Sequence, residues 1–233
     1  MSENQNQNGN IRYKISLLGD SRVGKTSIFR KLFTSRFSEE ILSTIGIDVK
    51  TIKFEDIEVN LKDKIKKKCF EIAIYDTAGQ EKFRAIPRNY IKDSDGIILV
   101  YDITNKETFD NIEKWSKNIS DIISNENDDY LVMLLGNKLD LANKIKTYND
   151  NVNEDEKNKT YRKVSTEEGE KASKKYNFEW GGECSAKDFT DQQFKDLVLN
   201  FVKKLYSKMA KYEKRGIKVS KKNNSKKQKK KCC

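Results

Sequence analysis

The stretch from Gly19 to Thr26 combines glycine, lysine and a hydroxyl at the spacing of a phosphate-binding loop. It reads G-D-S-R-V-G-K-T, follows an apolar run at 15–18 and precedes a helical pattern. Backbone N–H groups of such a loop, with the positive end of the next helix, surround a di- or triphosphate. The predicted nucleotide contacts in this loop are Gly19, Asp20, Ser21, Arg22, Val23, Gly24, Lys25, Thr26 and Ser27.

Several side chains near this loop suit the terminal phosphates and a metal ion. Lys25 would reach the β and γ phosphates, and the Thr26 hydroxyl would ligate Mg²⁺. Asp76 ends an alternating apolar strand at 70–74 and would hold Mg²⁺ through water. In the same motif, D-T-A-G-Q, the Gly79 N–H can bond the γ-phosphate and Gln80 can orient an attacking water.

A second motif, N-K-L-D at Asn137 to Asp140, indicates which base is bound. It ends an apolar run at 131–135, at the distance expected after a phosphate loop. The Asp140 carboxylate can accept from guanine N1–H and the exocyclic amino group together, and adenine offers neither pairing. A buried site built for donors rejects a ligand without them by roughly 10⁴ to 10⁵. The alternative is a turn or helix cap with no ligand, which a chain rich in Lys and Asn often contains.

The elements that must position these motifs alternate between strand and helix. Strands are predicted at 14–18, 97–101 and 131–135, followed by helices from Lys25, Glu107 and Thr166. This alternation favours an α/β fold with a mostly parallel sheet, whose ligands bind at the carboxyl ends of the strands. The last helix has one apolar face, expected to pack in the core: Phe194, Leu197, Val198, Phe201, Val202 and Leu205.

Charge divides the chain unevenly. Of the net charge of +11, ten units lie in Lys214 to Lys231, which has no acid, leaving about +1 elsewhere. We expect a flexible N-terminal extension at 1–11, one domain at 12–212 and a disordered basic tail at 213–233. Such a tail suits nucleic acid, anionic lipid or no partner. No apolar run is long enough to span a bilayer, no secretory signal opens the chain, and four cysteines make no disulfide framework.

With these motifs in order, the chain resembles the Rab family of Ras-like small GTPases. Further Rab-like stretches are I-G-I-D-V-K, F-E-I-A-I-Y, K-F-R-A-I, N-Y-I-K-D-S and V-Y-D-I-T, and the resemblance runs from Lys14 to about Tyr206. It implies a P-loop GTPase domain with a mostly parallel six-stranded sheet and helices on both faces. It also implies a GTP/GDP switch with Mg²⁺ that hydrolyses GTP to GDP and phosphate and acts in vesicle traffic.

The resemblance assigns roles to residues around the nucleotide. Thr44 resembles the switch I threonine, which ligates Mg²⁺ and touches the γ-phosphate in the GTP state. The predicted metal-binding residues are therefore Thr26, Thr44 and Asp76. The predicted catalytic residues are Lys25, Thr44 and Gln80.

Other roles concern the base. Phe37 matches the aromatic that packs against guanine, although a core contact is the alternative. Asn137 and Lys138 would flank the base, with Lys138 along its face. The loop S-A-K would add Ser185, the Ala186 N–H to the guanine carbonyl, and Lys187 under the ring.

The chain ends in Cys232 and Cys233, which resemble the Rab signal for double geranylgeranylation by a prenyl transferase and an escort protein. Two prenyl groups beside basic residues would anchor the protein to membrane. This implies the cytoplasmic face of an endomembrane compartment, with a cytosolic pool. Implied partners are an exchange factor, a GTPase-activating protein, a GDP-dissociation inhibitor and effectors, with no specific nucleic acid. Because no arginine finger is evident, rapid hydrolysis should need the activating protein.

Some positions depart from the Rab pattern. Arg22 stands where Rabs usually have a small residue, which leaves open a GTP-binding scaffold with negligible hydrolysis; Gln80 argues against it. Gly181-Gly182 replaces an apolar strand residue and predicts a bulge. The effector trio, usually Phe, Trp and Tyr, is here Val49, Tyr75 and Tyr90, so effectors are not inferred.

Two insertions also lengthen the chain relative to Rabs, near 58–68 and 142–159. The second is polar and reads as a flexible surface loop. The simplest interpretation of both is low-complexity expansion without function.

Overall fold

The computed structural model describes residues 10–34, 47–61, 64–77, 91–123, 130–142 and 161–214. The strands are β1 (Ile11–Leu18), β2 (Ile47–Leu61), β3 (Lys64–Thr77), β4 (Gly96–Asp102), β5 (Leu131–Asn137) and β6 (Glu179–Glu183). The helices are α1 (Lys25–Thr34), α2 (Lys106–Asp110), α3 (Ile112–Ile123), α4 (Leu139–Ala142), α5 (Thr166–Lys175) and α6 (Asp191–Lys214).

The strands form one sheet in the order β2-β3-β1-β4-β5-β6. Only the β2–β3 pair is antiparallel among the pairs of this sheet; the other pairs are parallel. Every residue of β4 and β5 is buried, as expected for central parallel strands covered on both faces. The predicted mostly parallel six-stranded α/β fold is confirmed.

Core residues lie on both faces of the sheet. On one face, Phe29 of α1 and Phe201 of α6 join a cluster with Ile15 and Ile74 of the strands. On the other face, Ile119 of α3 packs in a second cluster with residues of β4 and β5. The predicted apolar stripe of α6 is confirmed, because five of its six residues are buried and Leu197 packs against them.

The register places the carboxyl ends of the parallel strands at one end of the sheet. Leu17 of β1 lies opposite Asp76 of β3, and Asp102 of β4 lies opposite Asn137 of β5. Gly136 of β5 lies opposite Glu183 of β6. The sequence motifs at these strand ends therefore meet at one edge.

Two predicted irregularities have different outcomes. A register shift separates the pairs that β6 makes with Leu134 and Gly136, and Gly182 has φ +83°, so the predicted bulge at the glycine pair is confirmed. The insertion at 58–68 is regular where described, because it continues β2 and β3 as an antiparallel ribbon. Residues 1–9, 143–160 and 215–233 lie outside the described residues, so the expectations for the N-terminal extension, the polar insertion and the tail stay predictions.

Candidate functional site

The phosphate loop follows β1 and lies tightly against its neighbours. Gly19 has φ +133°, and a Cβ atom there would stand 2.1 Å from the Val100 carbonyl oxygen. Gly24 has φ +101°, and a Cβ atom there would stand 2.2 Å from Asn137 Nδ2. Both positions therefore require glycine for backbone conformation and for space.

Lys25 is the first residue of α1 and is buried, with 4% of its surface exposed. Its Nζ donates to the carbonyl oxygens of Gly19 at 2.5 Å and Asp20 at 2.7 Å. The ammonium group therefore points back into the loop that precedes it. Phosphate oxygens bound in the loop would meet this charge beside the N-terminal end of α1.

The Asp76 carboxylate, near the end of β3, is buried, and neither of its oxygens has a hydrogen-bond partner within the described residues. Burial raises the pKa of Asp76, while the neighbouring Thr26 hydroxyl and Lys25 ammonium oppose the shift. A buried carboxylate without a compensating partner is costly. Its position beside Thr26 fits a hydrated cation such as Mg²⁺, whose preferred ligands are oxygens.

Where the chain is described, no three His, Cys, Asp or Glu side chains cluster as an all-protein metal site. Of the three predicted metal residues, Thr26 and Asp76 are neighbours here, and Thr44 lies outside the described residues. Few protein ligands suit Mg²⁺, which usually keeps several waters and binds through few carboxylates.

The Asp20 side chain faces away from the loop. Its Oδ2 accepts from Asn111 Nδ2 and its Oδ1 from Trp115 Nε1, both at 2.7 Å. Asp20 can therefore contact a nucleotide through its backbone, while its carboxylate ties the loop to α3. Sequence reasoning missed Asn111 and Trp115, because nothing in the local pattern links residues more than 90 positions apart.

Asn137 joins the phosphate loop to the base-side loop. Its Nδ2 donates to the Val23 carbonyl at 2.8 Å, and its Oδ1 accepts from the Ala186 N–H at 3.1 Å. The side chain is 1% exposed. Asn137 was predicted to flank the base, and here its amide bridges two loops. Ala186 N–H, predicted for the guanine carbonyl, donates to Asn137 in this structure.

Asp140 and Ser185, from the two base-side motifs, are in direct contact. Ser185 Oγ donates to Asp140 Oδ1 at 3.0 Å and accepts from the Asp188 N–H at 2.9 Å. Backbone bonds reinforce the contact, since the Leu139 N–H donates to the Cys184 carbonyl at 3.0 Å. The Asp140 carboxylate is therefore oriented by the protein itself.

Lys138 is also fixed. It has φ +73°, and its Nζ lies 2.6 Å from Oδ2 of the buried Asp102. Asp102 Oδ1 in turn accepts from the Thr104 N–H at 2.8 Å and its hydroxyl at 2.6 Å. Sequence reasoning gave Asp102 no role, although its place at the end of β4 was a usable signal. The placement of Lys138 along the base stays a prediction.

Arg162 holds the end of β6, next to the S-A-K loop. Its guanidinium donates to both carboxylate oxygens of Glu183, at 2.7 and 2.8 Å. The hydrogen bond with Glu183 raises the pKa of Arg162. Arg162 was also missed, since it follows the polar insertion without a motif of its own.

Of the remaining predicted contacts, Val23 has a fully buried side chain, so it can offer only its backbone. Ser21, Arg22 and Lys187 are exposed and Ser27 is half-buried, and Arg22 has φ +64°. Seven predicted residues lie outside the described part of the chain: Phe37, Thr44, Gly79, Gln80, Tyr90, Cys232 and Cys233. Among the described helices, none has the length and apolar character needed to cross a membrane.

Comparison with known proteins gives consistent matches. The model of the Ras family matches residues 14–207. The chain is 39% identical to Ras-related protein Rab-8B of Pongo abelii over 199 residues, which are 84% of this chain and 82% of that protein. It is 38% identical to Ras-related protein Rab-10 of Caenorhabditis elegans over 188 residues, which are 80% and 79% of the two chains.

Proposed function

Because this chain belongs to the Rab family of Ras-like small GTPases, which act in vesicle traffic, we propose that it switches between GTP- and GDP-bound states with Mg²⁺ and recruits effectors in the GTP state. Its enzyme class is GTP hydrolase. The observation that carries the proposal is the buried Lys25 ammonium inside the phosphate loop, near the buried Asp76 carboxylate, whose oxygens have no hydrogen-bond partner in the described part of the chain.

On the phosphate side, Lys25 would bind the β and γ phosphates, together with N–H groups of the loop. Mg²⁺, when bound, neutralises charge that builds on the phosphate oxygens. Thr26 and Thr44 would be its protein ligands, and Asp76 would hold one of its waters. The Gly79 N–H would bond the γ-phosphate.

On the base side, Asp140 would accept the two guanine N–H groups while Ser185 keeps its carboxylate oriented. Lys138, held by Asp102, would lie along one face of the ring, and Lys187 and Phe37 would complete the pocket. The Ala186 N–H would reach the guanine carbonyl by sharing the hydrogen that it donates to Asn137.

For hydrolysis, Gln80 would orient the attacking water, and Lys25 and Thr44 would stabilise the charge that moves to the leaving oxygens. Turnover should be slow alone and fast with a GTPase-activating protein. In a single-turnover assay, we expect Gln80→Leu to retain GTP binding and to slow hydrolysis roughly tenfold or more. The matched change Gln192→Leu, on the exposed face of α6, should alter neither.

This assay also separates the proposal from its alternative. A wild-type protein that binds GTP but shows no hydrolysis above the uncatalysed rate would favour the GTP-binding scaffold that Arg22 suggests. Loss of GTP binding in Gln80→Leu, with unchanged turnover per bound nucleotide, would contradict the role of Gln80.

For membrane attachment, we propose prenylation of Cys232 and Cys233 by a prenyl transferase with an escort protein, assisted by the basic tail. The prenylated protein would lie on the cytoplasmic face of an endomembrane compartment, with a cytosolic pool kept by a GDP-dissociation inhibitor and activated by an exchange factor. After incubation with the prenylation machinery, Cys232→Ser with Cys233→Ser should no longer float with liposomes. Cys69→Ser, a matched change in β3, should float as wild type does; flotation of the double variant would exclude prenylation as the anchor.

A further inference from the structure

Strand β6 leads into the S-A-K loop, and its pairing with β5 is interrupted just before that loop. The pairing is regular through Trp180 and resumes with a shifted register at Glu183. Between these two residues lie Gly181 and Gly182. Gly182 has φ +83°, and a Cβ atom there would meet no other atom within 4 Å. The strand therefore has a glycine pair with little side-chain packing directly before the base-side loop.

The Glu183 side chain, which follows the glycine pair, is held by Arg162. The guanidinium donates to both carboxylate oxygens, at 2.7 and 2.8 Å, and only 9% of the Glu183 side chain is exposed. A bidentate pair fixes direction as well as distance, because two parallel hydrogen bonds must form together. Loss of one partner would leave the other charge buried and uncompensated.

Arg162 belongs to a segment that is itself fixed to the centre of the sheet. The N–H groups of Lys163 and Val164 both donate to the carbonyl of Ile103, directly after β4, at 2.9 and 3.2 Å. The Val164 side chain is fully buried, and its carbonyl accepts from Arg162 Nη1 at 3.0 Å. The guanidinium therefore reaches the end of β6 from a backbone that has its own anchors.

The residues that follow Glu183 connect this ion pair to the predicted guanine contacts. The carbonyl of Cys184 accepts from the Leu139 N–H at 3.0 Å, and Ser185 Oγ donates to Asp140 Oδ1 at 3.0 Å. A shift of Glu183 would therefore move Ser185 and change the orientation of the Asp140 carboxylate. The backbone bond of Cys184 limits this shift, so loss of the ion pair should weaken base recognition without abolishing it.

We propose that Arg162 is a positioning residue for guanine: through its ion pair with Glu183, it keeps Ser185 and Asp140 in place and slows the release of guanine nucleotides. This proposal rests on the base-side binding proposed above. Glycines replace an apolar strand residue in this chain, so the end of β6 lacks the packing that such a residue would supply. The ion pair with Arg162 takes over part of that task.

The test measures release of GDP and of inosine diphosphate from the full-length protein. Inosine diphosphate lacks the exocyclic amino group, so it offers Asp140 one donor instead of two. We expect Arg162→Met to release GDP about tenfold faster than wild type does. Its selectivity for GDP over inosine diphosphate should fall roughly threefold to fivefold, because a misoriented carboxylate loses more with the ligand that uses both oxygens. Arg162→Lys, which keeps the charge without the paired bonds, should lie between wild type and Arg162→Met.

A matched control removes a cation from another ion pair. Lys106 Nζ lies 2.7 Å from Glu168 Oε1 and joins α2 to α5. Lys106→Met should change GDP release and selectivity by less than twofold. Glu183→Gln should resemble Arg162→Met, and the double variant should show less than the product of the two single effects. Urea denaturation of each nucleotide-free variant measures stability separately, since lower stability alone does not change the ratio of the two nucleotides.

Several outcomes would overturn the proposal. Equal acceleration of GDP and inosine diphosphate release would mean that Arg162 stabilises the fold without orienting Asp140. Independent effects of Arg162→Met and Glu183→Gln would show that the two residues do not act as a pair. If Arg162→Met does not fold, Glu183→Gln decides, because the amide keeps the shape of the side chain; unchanged release and selectivity would then refute the role of the pair.

The same data separate this inference from the proposed function. A wild-type protein that binds GDP and inosine diphosphate equally well would refute the base site itself. A wild-type preference for GDP that persists unchanged in Arg162→Met and Glu183→Gln would refute only the positioning role of Arg162.

Discussion

The two halves of the nucleotide site differ in how they satisfy their polar groups. On the base side, the side chains bond one another: Ser185 holds Asp140, and Asp102 holds Lys138. On the phosphate side, the Lys25 ammonium turns to loop carbonyls, and Asp76 has no hydrogen-bond partner among the described residues. Among the described residues, the base-side side chains are satisfied by protein partners, whereas the Asp76 carboxylate on the phosphate side is not.

This difference indicates that the phosphate side lowers the stability of the nucleotide-free protein and that the base side determines specificity. A buried carboxylate without a partner destabilises the folded chain until a cation and its ligand arrive. Binding to the folded state alone then returns stability in proportion to ligand concentration. A preorganised base side costs little on binding and discriminates strongly, because wrong partners leave fixed groups unpaired.

Asn137 makes the two halves one unit. It bonds Val23 in the phosphate loop and Ala186 in the S-A-K loop, and its amide would collide with any side chain at Gly24. A shift of the phosphate loop on nucleotide release would therefore move Asn137 and alter its hydrogen bond with the Ala186 N–H. Nucleotide affinity and domain stability should accordingly change together in variants of this region.

The largest expected effect breaks the base side. In Asp140→Asn, the amide presents a donor where guanine also donates, so GTP affinity should fall by roughly 10³ or more, while xanthosine triphosphate gains. The fold should persist, because the amide oxygen still accepts from Ser185 Oγ. Competition binding with both nucleotides measures the shift.

Asp188→Asn is the matched control for this change, since Asp188 is exposed in the same region and contacts Ser185 through its backbone. It should leave base preference unchanged. GTP affinity within twofold of wild type in Asp140→Asn would refute the assignment of Asp140 to the base.

An intermediate effect is expected on the phosphate side. Burial raises the folded pKa of Asp76, so the folded state binds this proton more tightly than the unfolded state. Stability of the nucleotide-free protein should therefore fall as pH rises from the ordinary aspartate range through the raised pKa. Asp76→Asn, which cannot ionise, should stabilise the nucleotide-free protein by about 1 to 3 kcal/mol at neutral pH.

Denaturation in chelator at pH 4 and pH 7 tests this prediction. The advantage of Asp76→Asn should shrink at the lower pH, where the wild-type carboxyl is protonated, and the variant should bind Mg²⁺ with GTP more weakly. Asp48→Asn, at the exposed residue opposite on β2, should change both quantities much less. If Asp76→Asn is less stable than wild type at neutral pH, the ionised Asp76 carboxylate has compensating partners in the folded protein, and the prediction is wrong.

Much of the fold and site follows from sequence. Hydrophobic runs ending in motif residues identified β1, β4 and β5, and parallel strands necessarily bring such ends together. Lys25, Asp76 and Asp140 were predicted as site residues because their chemistry is tied to short local patterns, and the structure places them at the carboxyl end of the sheet or in the loops that follow it. The contact between Ser185 and Asp140 is in keeping with motifs placed at neighbouring strand ends.

The rest depends on packing that no local pattern encodes. The hydrogen bond between Asp20 and Trp115 forms only because α3 packs beside the phosphate loop, and this packing cannot be read from a local pattern. The same holds for the ion pair of Arg162 with Glu183 at the end of β6. The regular strand pairing of 57–61 with 64–68 was interpreted as an expansion because charged residues obscure its strand alternation. Once β2 and β3 pair, cross-strand bonding extends through it despite the lysines.

The smallest expected effect concerns the outer face of the phosphate loop, where the Asp20 carboxylate already has protein hydrogen-bond donors. The Asp20 carboxylate accepts from Asn111 and Trp115 and so holds the loop against α3. Asp20→Asn keeps one acceptor and sets its NH₂ group against the second donor, which should cost about 1 kcal/mol. GDP should dissociate roughly threefold to fivefold faster, because the loop is less restrained, while preference for guanine stays unchanged.

Trp115→Phe removes the N–H donor and keeps a smaller aromatic ring against the second core cluster. It should also accelerate GDP release, and combining it with Asp20→Asn should add less than the two single effects, as expected for residues that share one interaction. Stopped-flow release of a fluorescent GDP analogue measures all three variants. Strictly additive effects would show that Asp20 does not act on GDP release through its hydrogen bond with Trp115. The Asp20 carboxylate would then influence the bound nucleotide by another route, as the other phosphate-side residues do.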